Sequence, residues 1–103
     1  MLDEHDFRKM ADEELKALSR KLDVYAELSV DFANETLTVE FDDGDKFVVN
    51  QQGASRQIWF AAAFQAAHFD WDGSGWKDSK TGEALRVRVA RDVGKKIGKP
   101  VAL

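Results

Sequence analysis

The sequence predicts a two-layer α+β sandwich, with two helices packed on one face of an antiparallel sheet of five to six strands. Three observations carry this. Apolar residues recur at helical period near the N-terminus, then at period two through a run of short segments, then four apart near the C-terminus. Short polar turns join the period-two segments, as in an antiparallel meander. The chain has 103 residues, which is room for one domain and one core spanning residues 1–103.

The first helix is expected over residues 3–22. Phe7, Ala11, Leu15, Leu18 and Leu22 form one apolar stripe. Asp3 can cap its start, Glu4 and Asp6 suit the positive end of the helix dipole, and Lys21 suits the other end. Alternation then takes over. Leu28, Val30 and Phe32 alternate with Ser29, Asp31 and Ala33, and Leu37, Val39 and Phe41 with Thr36, Thr38 and Glu40. Asn34-Glu35 is the turn between these strands. The DDGD run at 42–45 turns into a third strand at 46–52, and Gly53-Ala54-Ser55 into a fourth at 56–61. A fifth strand is expected at 68–71. DGSG at 72–75 then turns into a short sixth at Trp76-Lys77. The AAAFQAAHF stretch at 61–69 reads as a loop, partly helical or carrying an exposed Phe64. The last segment is ambiguous, since Leu85, Val87 and Val89 alternate while Leu85, Val89, Val93 and Ile97 sit four apart. Gly98 and Pro100 as stop signals and Lys95 and Lys96 near the end favour a helix over 82–96, with Thr81 near its N-cap.

Composition narrows the function. There is no cysteine, which removes disulfides, thiolate metal sites and cysteine nucleophiles together and fits a reducing compartment. The N-terminal MLDEHDF lacks an apolar signal core or an Arg-rich transit pattern. No apolar run approaches the roughly 20 residues of a membrane span. The expectation is a cytoplasmic protein with no membrane partner, and no oligomer seam is visible, so a monomer. Residues 1–45 carry a charge balance of −9 and residues 46–103 a balance of +5. Between Asp23 and Asp45 there are eight acids and no lysine or arginine. That disfavours nucleic acid and favours a cation or a basic protein surface.

Two helices on one sheet face leave the other face uncovered. Parity puts Phe47, Val49, Ile58, Phe60, Phe69 and Trp71 in the core. It turns Val48, Asn50, Gln52, Gln57, Trp59, Ala61 and His68 outward. Amides offer donors and acceptors, and an exposed tryptophan among polar neighbours has the composition of a binding hot spot. Parity alone equally allows a Trp59 that packs over its own sheet among solvated amides. A register slip of one residue would reverse the assignment.

The stretch VVNQQGASRQIWFAA, followed by HFDWDGSGW and TGEAL, resembles the frataxin family, closest to its bacterial CyaY type. The resemblance is densest over residues 37–85. It implies an iron-binding protein that docks on a cysteine desulfurase–scaffold complex and regulates iron–sulfur cluster assembly as iron donor or sensor. By position, Asn50, Gln52, Gln57, Trp59 and His68 fall where frataxins present partner-facing residues. Some members carry arginine at the position of His68, and bacterial members often have histidine.

Frataxins also display an acidic ridge on the first helix and strand that holds Fe2+ or Fe3+ weakly at the surface. Carboxylate oxygens suit these ions without thiolates. Here the helix alternates charges (Lys9, Asp12, Glu13, Lys16, Arg20) and has Ser19 and Arg20 where the bacterial family usually has acids. The unopposed acids begin later. Asp23, Glu27 and Asp31 are the expected cation site, by convergence of helix end, loop and first strand. An acidic edge that discourages sheet-to-sheet pairing explains them as well. A docking protein of the same fold with little or no iron binding is therefore the alternative. A ferroxidase, also proposed for the family, would need Glu-x-x-His pairs or a similar defined site, and none is visible.

The two histidines are too far apart in sequence for a paired zinc motif; His5 among Asp3, Glu4 and Asp6 could bind a metal loosely, but a solvated helix-start histidine is the reading favoured. DDGD lacks the EF-hand spacing, and no P-loop, nucleophile elbow or dinucleotide fingerprint occurs. Catalytic residues are therefore expected to be none. Val101 and Leu103 are expected to fill the gap between the helices.

Overall fold

The computed structural model describes residues 2–63 and 65–103. The elements run α1 (Glu4–Leu22), β1 (Leu28–Ala33), β2 (Thr36–Phe41), β3 (Lys46–Gln52), β4 (Gln57–Ala62), β5 (Gln65–Trp71), β6 (Trp76–Asp78) and α2 (Leu85–Ile97). The six strands form one antiparallel sheet in sequential order.

Each helix buries the stripe its spacing lays down. On α1 these are Phe7, Ala11, Leu15, Leu18 and Leu22, and on α2 Leu85, Val89 and Val93. They join the inward residues of the sheet, among them Leu37, Val39, Val49, Ile58, Phe60 and Phe69, in one core. Edge-to-face aromatic contacts tie that core across strands: Phe41 to Phe47 at 4.7 Å and Phe47 to Phe60 at 5.7 Å between centroids. Glu14 on α1 receives two hydrogen bonds from the Arg86 guanidinium on α2, at 2.8 and 2.9 Å, a planar fork on a carboxylate. Val101 and Leu103 are partly buried and pack against the core.

Three boundaries differ from expectation. The 61–69 stretch is mostly strand: β4 runs to Ala62, β5 starts at Gln65, and these two residues pair. Alanine has weak strand preference, but an unpaired buried backbone costs more, and each strand gives the other its hydrogen-bond ladder. Ala67 is buried there as the alternation continues. Phe64 lies outside the described residues. The second correction is at α2, which begins at Leu85 with Ala84 at the N-cap and no side-chain cap. Gly82 takes a left-handed φ of 77°, and Ala84 is bridged in extended form to Lys77, so the chain runs back along β6 before it can coil. Thr81 instead accepts the Glu83 N–H at 3.2 Å. The third is at β4, which starts at Gln57 because Arg56 has a left-handed φ of 55° and belongs to the turn.

The DGSG turn is held by one carboxylate. Asp72 Oδ1 accepts the Ser74 and Gly75 N–H groups, each at 2.9 Å, and the Ser74 hydroxyl at 3.0 Å. These bonds, the two backbone N–H groups foremost, hold its pKa down from 3.8 to about 2. A carboxyl whose pKa is depressed by folding stabilises the fold above its unfolded pKa and loses that contribution as the pH falls through the folded value. The Asp72 share is thus complete above about pH 4 and is lost toward pH 2. Asp72→Asn keeps an acceptor for the turn and removes the titration. Its unfolding free energy should fall less steeply than wild type between pH 4 and pH 2 in denaturant titrations. Equal slopes would mean that the carboxylate is not held this way.

Candidate functional site: the uncovered sheet face

Antiparallel pairing arranges the uncovered face in rows. Asn50 on β3 lies opposite Trp59 on β4, and Trp59 lies opposite His68 on β5. The next row runs Gln52, Gln57, Asp70 and Lys77 over β3 to β6. Asn50, Gln52, Gln57, Trp59 and His68 therefore stand side by side. Residues of the opposite parity, Val49, Ile58, Phe60 and Phe69, are buried beneath them.

Trp59 is at the centre, 36% exposed. The His68 ring lies almost parallel to it, with centroids 4.2 Å apart and 11° between planes. Trp59 Nε1 donates to Gln57 Oε1 at 3.0 Å, and Gln57 Nε2 donates to Asp70 Oδ1 at 3.0 Å. Gln52 Nε2 donates to Asn50 Oδ1 at 3.3 Å. Asp70 was missed by the sequence reading, although it has the parity of His68 and so carried the signal. An aromatic plane bordered by amides offers contact area and hydrogen bonds. It holds no nucleophile with an adjacent base.

The acidic residues are arranged differently from expectation. Asp23, Glu27 and Asp31 do not converge. Asp23 caps the end of α1, its N–H bonded to Ser19 O at 3.0 Å. Glu27 pairs with Lys99, whose hydrogen bond is the main cause of its lowered pKa. Asp31, opposite Thr38, belongs to the uncovered face at its β1 edge. Strand parity separates Asp31 from the helix end, and a lysine from the C-terminal tail takes Glu27. Among the described residues, the group of three metal-ligating side chains within 4.8 Å of one another is Asp3, His5 and Asp6, all exposed. Asp3 is already committed there to the Asp6 N–H at 2.7 Å, and the positive end of the helix dipole opposes a cation.

Elsewhere the acids are mostly tied to bases. Lys96 reaches both Asp43 and Asp45, which raises its own pKa and lowers that of Asp43. On α1, Asp12 pairs with Lys16, while Arg8 turns to Glu4 and Glu35. Among the described residues, the exposed acids Asp3, Glu13, Asp23, Asp31, Glu40 and Asp42 have no ion-pair partner.

The sequence matches the family model of the frataxin-like domain over residues 1–99. The chain belongs to the frataxin family. It is 34% identical over 102 residues to the iron-sulfur cluster assembly protein CyaY of Thioalkalivibrio sulfidiphilus, covering 94% of this chain and 95% of that protein. The frataxin of Psychromonas ingrahamii superposes with a TM-score of 0.90 over 97% of this chain and 96% of that one, at 23% identity. A crystal structure of trimeric frataxin from the yeast Saccharomyces cerevisiae, complexed with ferrous iron, matches with a TM-score of 0.69 at 23% identity, covering 96% of this chain and 89% of that one. These two structures share the frataxin fold, with two helices on one sheet, found here. Among the described residues of this frataxin, no helix is long and apolar enough to cross a membrane.

Proposed function

We propose that this frataxin docks through its uncovered sheet face on a cysteine desulfurase–scaffold complex in the cytoplasm and regulates iron–sulfur cluster assembly. The observation that carries the reading is the Trp59 platform. It is a large aromatic surface, stacked on one side, bordered by amides and left open by both helices. The assembly context is supported by the relatives named iron-sulfur cluster assembly protein. Iron, as Fe2+ or Fe3+, enters as a weakly held cargo of exposed carboxylates. Within residues 23–45, the exposed acids without an ion-pair partner are Asp23, Asp31, Glu40 and Asp42, and these are free to meet it.

A second reading is favoured by a specific observation. Lys96, Lys99, Arg8 and Lys16 neutralise much of the acidic surface from within. In that case the protein docks and holds little iron. Among the described residues, no catalytic constellation supports a ferroxidase.

Backbone and indole NMR of the labelled chain tests both. Adding the desulfurase–scaffold complex should perturb Asn50, Gln52, Gln57, His68 and the Trp59 indole first. A footprint confined to the outer faces of α1 and α2 would sink the docking proposal. In a separate iron titration, changes localised at Asp23, Asp31, Glu40 and Asp42 support the iron reading. No localised change at millimolar iron selects the docking-only reading.

A further inference from the structure

We infer that Asp70 is a positioning residue of this face. Its carboxylate sets the orientation of the Gln57 amide and, through it, the Trp59 indole. The inference rests on the docking proposal for its functional meaning and on geometry for its existence.

The chemistry of the three groups allows one arrangement. An indole N–H only donates, and an ionised carboxylate only accepts. The Gln57 amide between them has a donor end and an acceptor end of nearly the same shape. With Oε1 toward Trp59 and Nε2 toward Asp70, each at 3.0 Å, both bonds form. Turned by half a revolution, the amide would set N–H against N–H and oxygen against carboxylate, losing both. Lys77, opposite Asp70 on β6, is turned instead to Asp72 at 3.5 Å, which leaves the Asp70 carboxylate to Gln57.

Two consequences follow for recognition. The Trp59 N–H is used within the face, so a partner meets the ring and not its donor. The ring is also held before the partner arrives, by Gln57 at its N–H and by His68 along its plane. A side chain fixed in its bound orientation loses less freedom on association, which strengthens binding without adding a contact.

The test uses the full chain, with the desulfurase–scaffold complex as the binding probe. In free Asp70→Ala, the Trp59 indole N–H signal should move upfield and exchange faster with solvent. Affinity for the complex should fall roughly tenfold, as for a lost hydrogen bond to a charged group. In a Gln57→Ala background, Asp70→Ala should cost nothing more, because the path is already cut. Asp70→Asn keeps an acceptor but adds a donor and should fall between wild type and Asp70→Ala, which keeps the test open if the alanine variant folds poorly. An unchanged indole signal in both variants, or fully additive losses in the double variant, overturns the inference. If Trp59→Ala itself binds as wild type, the docking proposal fails, and the indole signal alone decides the positioning role.

Discussion

Replacing Trp59 with alanine is expected to weaken binding to the cysteine desulfurase–scaffold complex by at least about thirtyfold, the scale of a central aromatic anchor. The physical case is local. Trp59 is the largest exposed aromatic side chain among the described residues, and Asn50, His68 and Gln57 surround it. Truncation removes the ring that a partner would cover and leaves the amide relay without its donor. The fold should change little, because the core beneath does not include this side chain. The loss to stability is the stack on His68 and some strand preference, about 1 kcal/mol. Isothermal titration with the complex, next to a thermal melt of the free variant, separates the two effects. Wild-type affinity in a well-folded variant would end the interface reading.

Phe60→Ala should do the reverse. Phe60 is the next residue on β4 and points to the opposite face, 1% exposed. It packs edge-to-face on Phe47 at 5.7 Å, and the Arg88 guanidinium lies 5.7 Å from its ring centre. Its removal should cost about 3–5 kcal/mol, from lost transfer free energy and the cavity left in a packed interior. Small domains hold only about 5–15 kcal/mol in total. The melting temperature should therefore fall by about 15 °C or more. Near-native melting would mean that the core closes over the gap. At temperatures where the variant stays folded, its Trp59 face should still bind. On the docking proposal, neighbours on one strand would divide the labour, one serving the partner and one the fold, because side chains alternate across a sheet.

Most of the fold can be read from period. The stripe from Phe7 to Leu22 and the alternation in β1 to β4 name their own buried sides, and the observed burial follows them. The misread stretches are those where local pattern is weak. Alanines at 61–67 carry little preference, so cross-strand hydrogen bonding decided their state. The start of α2 depended on the Lys77–Ala84 bridge, a contact between parts of the chain that no local signal announces.

The site divides in the same way. Alternation in the sequence alone sets Asn50 and Gln52, Gln57 and Trp59, and His68 opposite the apolar residues of their own strands, since parity is a property of the strand itself. Tertiary structure alone decided which of them touch. Register across β3, β4 and β5 stacks His68 on Trp59 and brings Asp70 to Gln57. It also decided the acids. Glu27, Asp43 and Asp45 look unopposed along the chain, but their counter-charges Lys96 and Lys99 lie more than 50 residues later and arrive only when α2 and the tail fold against the sheet. Charge neutralisation depends on distance in space, and composition over a segment cannot supply it.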